Sequence, residues 1–142
     1  MNIKDQIAKG VNVLHRSLFE ATKGRVGGRI MKMPALILHT TGRKSGKRRS
    51  TMLTAPIRDG HTLVIVGSYG GDDREPMWTR NVRANPDVEI TMDGATRPMR
   101  ARIASSDERA ELWPRVTSTY KGYAGYQTNT EREIPLIILE PR

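Results

Sequence analysis

Asp59-Gly60 stands between two short β-rich runs, Thr51–Arg58 and Thr62–Ser68, and it narrows what this chain can fold into. An Asp-Gly pair between apolar runs is a hairpin signal, because glycine supplies the positive φ that a two-residue turn demands. A second such pair, Asp93-Gly94, divides Val88–Met92 from Pro98–Ile103. Ala35–Thr40 and Ile134–Leu139 are further apolar runs of strand length. The runs do not alternate with long helical patterns, so a parallel sheet is disfavoured. The expectation is a mainly β (α+β) domain, a small antiparallel barrel of about six strands with helices at its edges.

Those edge helices have local signals. In residues 1–23, Ile3, Ile7, Val11, Leu14 and Leu18 recur at helical intervals and form one apolar stripe. Lys4, Lys9, Arg16 and Lys23 lie off that stripe, and Gly24 and Gly27-Gly28 follow it. Such a helix either packs on the domain or rests on an anionic membrane surface. The chain is therefore divided into an amphipathic helix and linker, 1–30, and a barrel domain, 31–142. Pro76 opens a short helix over Met77–Ala84 that Asn85-Pro86 ends. Ser106 is expected to cap a helix that Pro114 kinks or restarts. Ser68–Pro76 reads as a loop, and Tyr120–Glu133 as a polar, glycine-containing segment.

Charge points to one end of the molecule. The chain carries +9 overall, yet residues 1–50 hold twelve Lys/Arg against two acids, and the remainder is nearly balanced. The stretch Thr40-Thr41-Gly42-Arg43-Lys44-Ser45-Gly46-Lys47-Arg48-Arg49 places five cations in a turn between two strands. Exposed backbone N–H groups and fixed positive charge together make a receptor for a polyanion. One Phe, two Trp and four Tyr are too few for a base-stacking platform, which disfavours nucleic acid.

Several chemistries are excluded by composition. There are no cysteines, hence no disulfide framework and no thiolate. No apolar run approaches the ~20 residues that span a bilayer, and no signal-peptide pattern opens the chain, so a cytosolic protein is expected. His15, His39 and His61 are scattered without ligand spacing, so no metal is expected. Three residues separate Gly42 from Gly46, and Arg48 occupies the place of the Ser/Thr a P-loop needs; nucleoside-triphosphate hydrolysis is rejected. With no acid–base set of its own, an enzyme of this composition relies on a cofactor.

Thr40–Gly46, Arg49-Ser50-Thr51-Met52-Leu53, Ser68-Tyr69-Gly70-Gly71, Pro76-Met77-Trp78, Asn81 and Asn85-Pro86 occur in an order that resembles a known family. So do Trp113-Pro114, the tyrosines Tyr120, Tyr123 and Tyr126, and Ile134-Pro135 with Glu140-Pro141. The family is the actinobacterial deazaflavin-dependent nitroreductases, the coenzyme F420H2-dependent quinone reductases. The resemblance implies a split β-barrel of the flavin-binding type that holds coenzyme F420, an 8-hydroxy-5-deazaflavin with a phosphodiester and an oligoglutamate tail. By resemblance, Arg43, Lys44, Ser45 and Arg49 meet the anionic end. Ser50, Thr51, Met52, Leu53 and Thr54 offer backbone groups, Val66, Gly67, Ser68 and Tyr69 line the ring, and Met77, Trp78 and Asn81 close over the phosphate-bearing chain. Met52 replaces the family's usual proline, and Tyr69 a residue that is often small or basic.

The implied activity is hydride transfer from the reduced coenzyme to a quinone, nitroaromatic or unsaturated carbonyl acceptor. Tyr120, Tyr123, Tyr126 and Ser68 are the expected catalytic group: protonated phenols that hydrogen-bond the oxygen gaining charge. The tyrosines stand three apart and in a helix share one arc of about 120°. A deazaflavin carrier or storage protein without turnover is the alternative. Residues 1–23 make peripheral contact with the inner face of the cell membrane the alternative to a wholly cytoplasmic location.

Overall fold

The computed structural model describes Lys23, Arg29–Ile30 and residues 33–142. Apart from Lys23 and the Arg29–Ile30 pair, the amphipathic helix expected over 1–23 and the linker to residue 30 lie outside the described residues. Among these there are eight strands: β1 (Arg29–Ile30), β2 (Met33–Thr41), β3 (Arg48–Thr54), β4 (Ile57–Asp59), β5 (Thr62–Val66), β6 (Asp87–Met92), β7 (Ala95–Ile103) and β8 (Leu136–Pro141). Three α-helices join them: α1 (Met77–Ala84), α2 (Ser106–Thr119) and α3 (Gly122–Thr128).

All strand pairs are antiparallel, in the order β1-β2-β6-β7-β8-β5-β4, with β3 on β2. The Asp93-Gly94 turn takes φ of 52° and 81°, the left-handed pair that a tight hairpin requires, and Met92 faces Ala95 across it. The other hairpin is shifted by one residue: Asp59 pairs with Thr62, so the loop is Gly60-His61.

The run Thr51–Arg58 is not one strand. Pro56 has no N–H to give a ladder, and the chain bends at Ala55-Pro56, both buried. Before the bend it pairs with β2; after it, as β4, it pairs with β5 at the other end of the sheet. One covalent segment thus joins the two ends, and the fold is a split β-barrel. Along the split, β3 pairs only with β2 among the described strands.

Alternation then builds two cores. In β5, Leu63 and Ile65 face the barrel interior, while Val64 and Val66 face the helical layer. β8 does the same with Ile137 and Leu139 against Leu136 and Ile138. Trp78 and Val82 of α1 plug the interior cluster. Val116, Leu112 and Trp113 of α2, with Tyr123 of α3, cover the outer one.

The start of α2 corrects the expected cap. Ser105, not Ser106, is the N-cap: its Oγ accepts from the Glu108 N–H at 3.2 Å, and Glu108 Oε1 accepts from Ser105 N–H at 3.0 Å. The reciprocal pair needs an acid three residues after the serine, which Ser105 has and Ser106 lacks. Pro114 lies inside a helix that runs on to Thr119.

Candidate functional site

The basic turn is a folded object. Gly42 N–H donates to Lys47 O at 2.8 Å, Gly46 N–H to Gly42 O at 2.8 Å, and Lys47 N–H to Ser45 Oγ at 3.1 Å. Asn81 of α1 pins it from beneath. Its Oδ1 accepts the Arg43 N–H at 3.1 Å, and its Nδ2 donates to Thr40 Oγ1 at 3.3 Å. Buried and engaged on both sides, Asn81 holds the turn in place.

Seven consecutive exposed residues, Arg43–Arg49, follow. Arg48 is paired with Glu89. Arg43, Lys44, Lys47 and Arg49 form no ion pair among the described residues, so four positive charges remain available. With Ser45, Ser50, Thr51, Met77, Trp78 and Asn81 they edge a groove of about 750 Å³, from which only Lys47 stands back. The Ser50 hydroxyl is held at 2.7 Å by His39, whose other ring nitrogen meets Thr91 Oγ1 at 2.7 Å.

The groove continues along the split. Thr51, Met77 and Trp78 are shared with a hollow of about 410 Å³ that Leu53, Val66, Ser68, Tyr69, Gly70 and Pro76 complete. Leu53, Val66 and Ser68 are shared in turn with a smaller one of about 220 Å³, closed by Met52, Thr54 and Tyr123. Its walls are β3 on one side and the end of β5 on the other. The whole is one channel, cationic at one end and apolar with a few hydroxyls at the other.

Of the three tyrosines, only Tyr123 lines that channel. Its hydroxyl is 3.3 Å from Thr54 Oγ1 and donates to Met33 Sδ at 3.9 Å. Burial pushes its pKa up, so the phenol is neutral at physiological pH. Tyr120 is the C-cap of α2 in extended backbone, so the three do not share one helical arc. It meets Tyr123 edge-on at 5.1 Å between ring centroids and Tyr126 at 6.3 Å. The shared hydrogen bond with Tyr120, then burial, push Tyr126 to about 12.

Ser68 lines the same hollow as Tyr123 and Thr54. Gly67 does not line the channel. Its N–H donates to Pro135 O at 3.0 Å, and a Cβ there would meet Pro135 Cγ at 2.9 Å, so its glycine serves packing. Sequence reasoning missed Met33 and Arg132, whose partners lie far away along the chain.

A separate hollow of about 240 Å³ holds none of the expected residues. Leu63, Ile90, Met92 and Met99 form its floor. Two of its three arginines are spent, Arg58 on Asp93 and Arg142 on the carbonyls of Met99 and Val88. No cluster of His, Cys, Asp and Glu among the described residues could hold a metal ion.

Comparison with known proteins finds relatives that match most of the chain. The family model described as F420H(2)-dependent quinone reductase matches residues 13–141. An F420H(2)-dependent quinone reductase of Mycobacterium tuberculosis is 41% identical over 133 residues, which cover 91% of this chain and 89% of that one. The solved structure of an F420-H2 dependent reductase is 38% identical with a TM-score of 0.68, covering 75% of this chain and 94% of its own. A domain-swapped dimer, 33% identical, superposes with a TM-score of 0.71 over 98% of this chain and all of its own.

Proposed function

This chain belongs to the F420H(2)-dependent quinone reductase family and is an oxidoreductase that uses reduced coenzyme F420, and we propose that the channel along the barrel split is where coenzyme and quinone meet. One observation carries the proposal: a run of adjoining hollows leads from Arg43, Lys44 and Arg49, which form no ion pair among the described residues, to the Tyr123–Thr54–Ser68 cluster. A coenzyme that is polyanionic at one end and planar at the other fits those two environments and no other surface described. When bound, it supplies hydride from its ring to the quinone.

The residues divide the remaining work. Arg43, Lys44 and Arg49 bind phosphate and glutamate carboxylates, Arg through its forked donors and Lys as a mobile point charge. Ser45 fixes the turn that presents them. The edge of β3 that pairs with no other described strand, Thr51 to Thr54, offers backbone groups to the coenzyme, with Ser50 beside it. Met77 and Trp78 cover the middle of the groove, and Val66, Ser68 and Tyr69 bound the ring end. Tyr123, kept protonated by burial, donates to the quinone oxygen that gains charge, with Ser68 beside it. Tyr120 and Tyr126 hold the Tyr123 ring edge-on. Turnover rather than storage is the reading the family supports.

A second proposal concerns location. Residues 1–23, with their apolar stripe and off-stripe cations, support contact with an anionic membrane surface, where lipophilic quinones dissolve. Among the described residues no helix is long and apolar enough to cross a membrane.

The test of the channel is coenzyme binding followed by fluorescence quenching. Lys44→Ala and Arg49→Ala should each weaken binding roughly 5- to 50-fold, as loss of a charged hydrogen bond at an exposed site does. Added salt should weaken the wild type more steeply than either variant. Identical salt slopes in all three proteins would remove the turn from the binding site.

A further inference from the structure

We infer that Arg132 is a positioning residue that latches helix α3 to the loop after β5, setting the ring end of the channel. Its consequence for turnover rests on the functional reading above. The loop is backbone under strain: Tyr69, Gly70 and Gly71 take φ of 48°, 64° and 83° in succession. For tyrosine that region is uncommon and strained, so something must hold it. A chain turning this way leaves carbonyls without ladder partners, and buried carbonyls need donors.

Arg132 supplies them from the far side. Its Nε donates to Asp72 O at 3.0 Å, Nη1 to Gly67 O at 3.2 Å, and Nη2 to Gly67 O at 3.2 Å and Ser68 O at 2.8 Å. One guanidinium thus gathers three carbonyls that bracket the strained turn. It forms no ion pair among the described residues, and the Asp72 carboxylate is taken by Arg74. Its donors are therefore committed to shaping the loop. An ammonium has no planar fork to span these three oxygens.

The other end of the latch is α3. Gln127 Nε2 donates to Arg132 O at 2.8 Å, and Gln127 Oε1 accepts from Ile134 N–H at 2.9 Å and Arg109 Nη2 at 3.1 Å. Where loop and helix touch, Gly71 has no room for a side chain: a Cβ would stand 2.8 Å from Tyr126 O. Ser68 and Tyr123, which line the same small cavity, are thereby tied through one residue, whose side chain holds the loop and whose carbonyl holds α3 through Gln127.

The experiment compares wild type, Arg132→Lys and Arg132→Met, first without coenzyme by amide hydrogen exchange. Both variants should speed exchange about tenfold or more at Gly71 and Asp72 and at Asn129 and Thr130 together, with β5 and β8 unchanged. With coenzyme and a quinone, kcat should fall about 10- to 100-fold while coenzyme Kd stays within about threefold, because the cationic end is untouched. Faster exchange in only one of the two segments overturns the latch, as does protection lost evenly across the barrel. Unchanged kcat in variants with loosened segments overturns the positioning role. A wild type that reduces no quinone sinks the functional reading instead, and the exchange result still decides the latch.

Discussion

Tyr123 is where burial, geometry and chemistry meet on one side chain. Its ring is fixed by two edge-on tyrosines, and its hydroxyl reaches Thr54 at the channel wall. Desolvation raises its pKa, which keeps a proton available to donate. Tyr123→Phe removes only that oxygen, and the ring still fills the same space. With quinone as acceptor, kcat/KM should fall by a factor of about 10–1,000, the usual loss for one polarising donor. Coenzyme affinity should remain within a few fold. Undiminished turnover in Tyr123→Phe would make the phenol a wall and leave water as the proton source. Thr54 then becomes the only hydroxyl of that pair still facing the cavity.

The elements show which parts of the fold announce themselves locally. Gly122 opens α3 where glycine costs helix stability of about 1 kcal/mol, yet a Cβ would stand 2.6 Å from Tyr120 Cζ. Gly122→Ala should therefore not gain that kilocalorie. It should displace Tyr120, lose the edge-on contact worth about 0.5–1.5 kcal/mol, and lower Tm by a few degrees. Unchanged or raised Tm, with unchanged tyrosine fluorescence, would show that Tyr120 is free to move aside. The same contrast explains what the sequence discloses. The bounds of α1, Met77–Ala84, are legible because Pro76 and Asn85-Pro86 are strictly local signals. So was the Ser105 cap, through Glu108, although Ser106 drew the reading. The Ala55-Pro56 bend is visible as a proline, but its transfer from β2 to β5 depends on partners far along the chain. Of the site, the cations and Ser68 were legible as motif residues. Arg132 was not, since its acceptors are carbonyls some sixty residues away that any sequence would provide.

For the whole molecule the governing quantity is where charge lies. Twelve of the 24 Lys and Arg fall in residues 1–50, against two acids. Part of that excess faces the channel, and part lies in residues 1–23. Deleting residues 1–22 should abolish sedimentation with anionic vesicles and leave coenzyme affinity within about twofold, if that segment is a membrane contact. A full-length protein that stays in the supernatant rules the contact out. A lowered Tm in the deletion, with vesicle binding intact, would instead make the segment a packed part of the domain. The open edge of β3 carries a different consequence. Seven residues of strand that pair with β2 and with no other described strand are a template on which a second copy could zip, the first step toward aggregates. Arg48 and Arg49 begin that strand, and Arg43 and Lys44 stand in the turn before it. Two such edges brought together in parallel would set like charge against like, so the cations proposed to receive the coenzyme's anionic end would also act as gatekeepers that keep the protein dispersed when the coenzyme is absent.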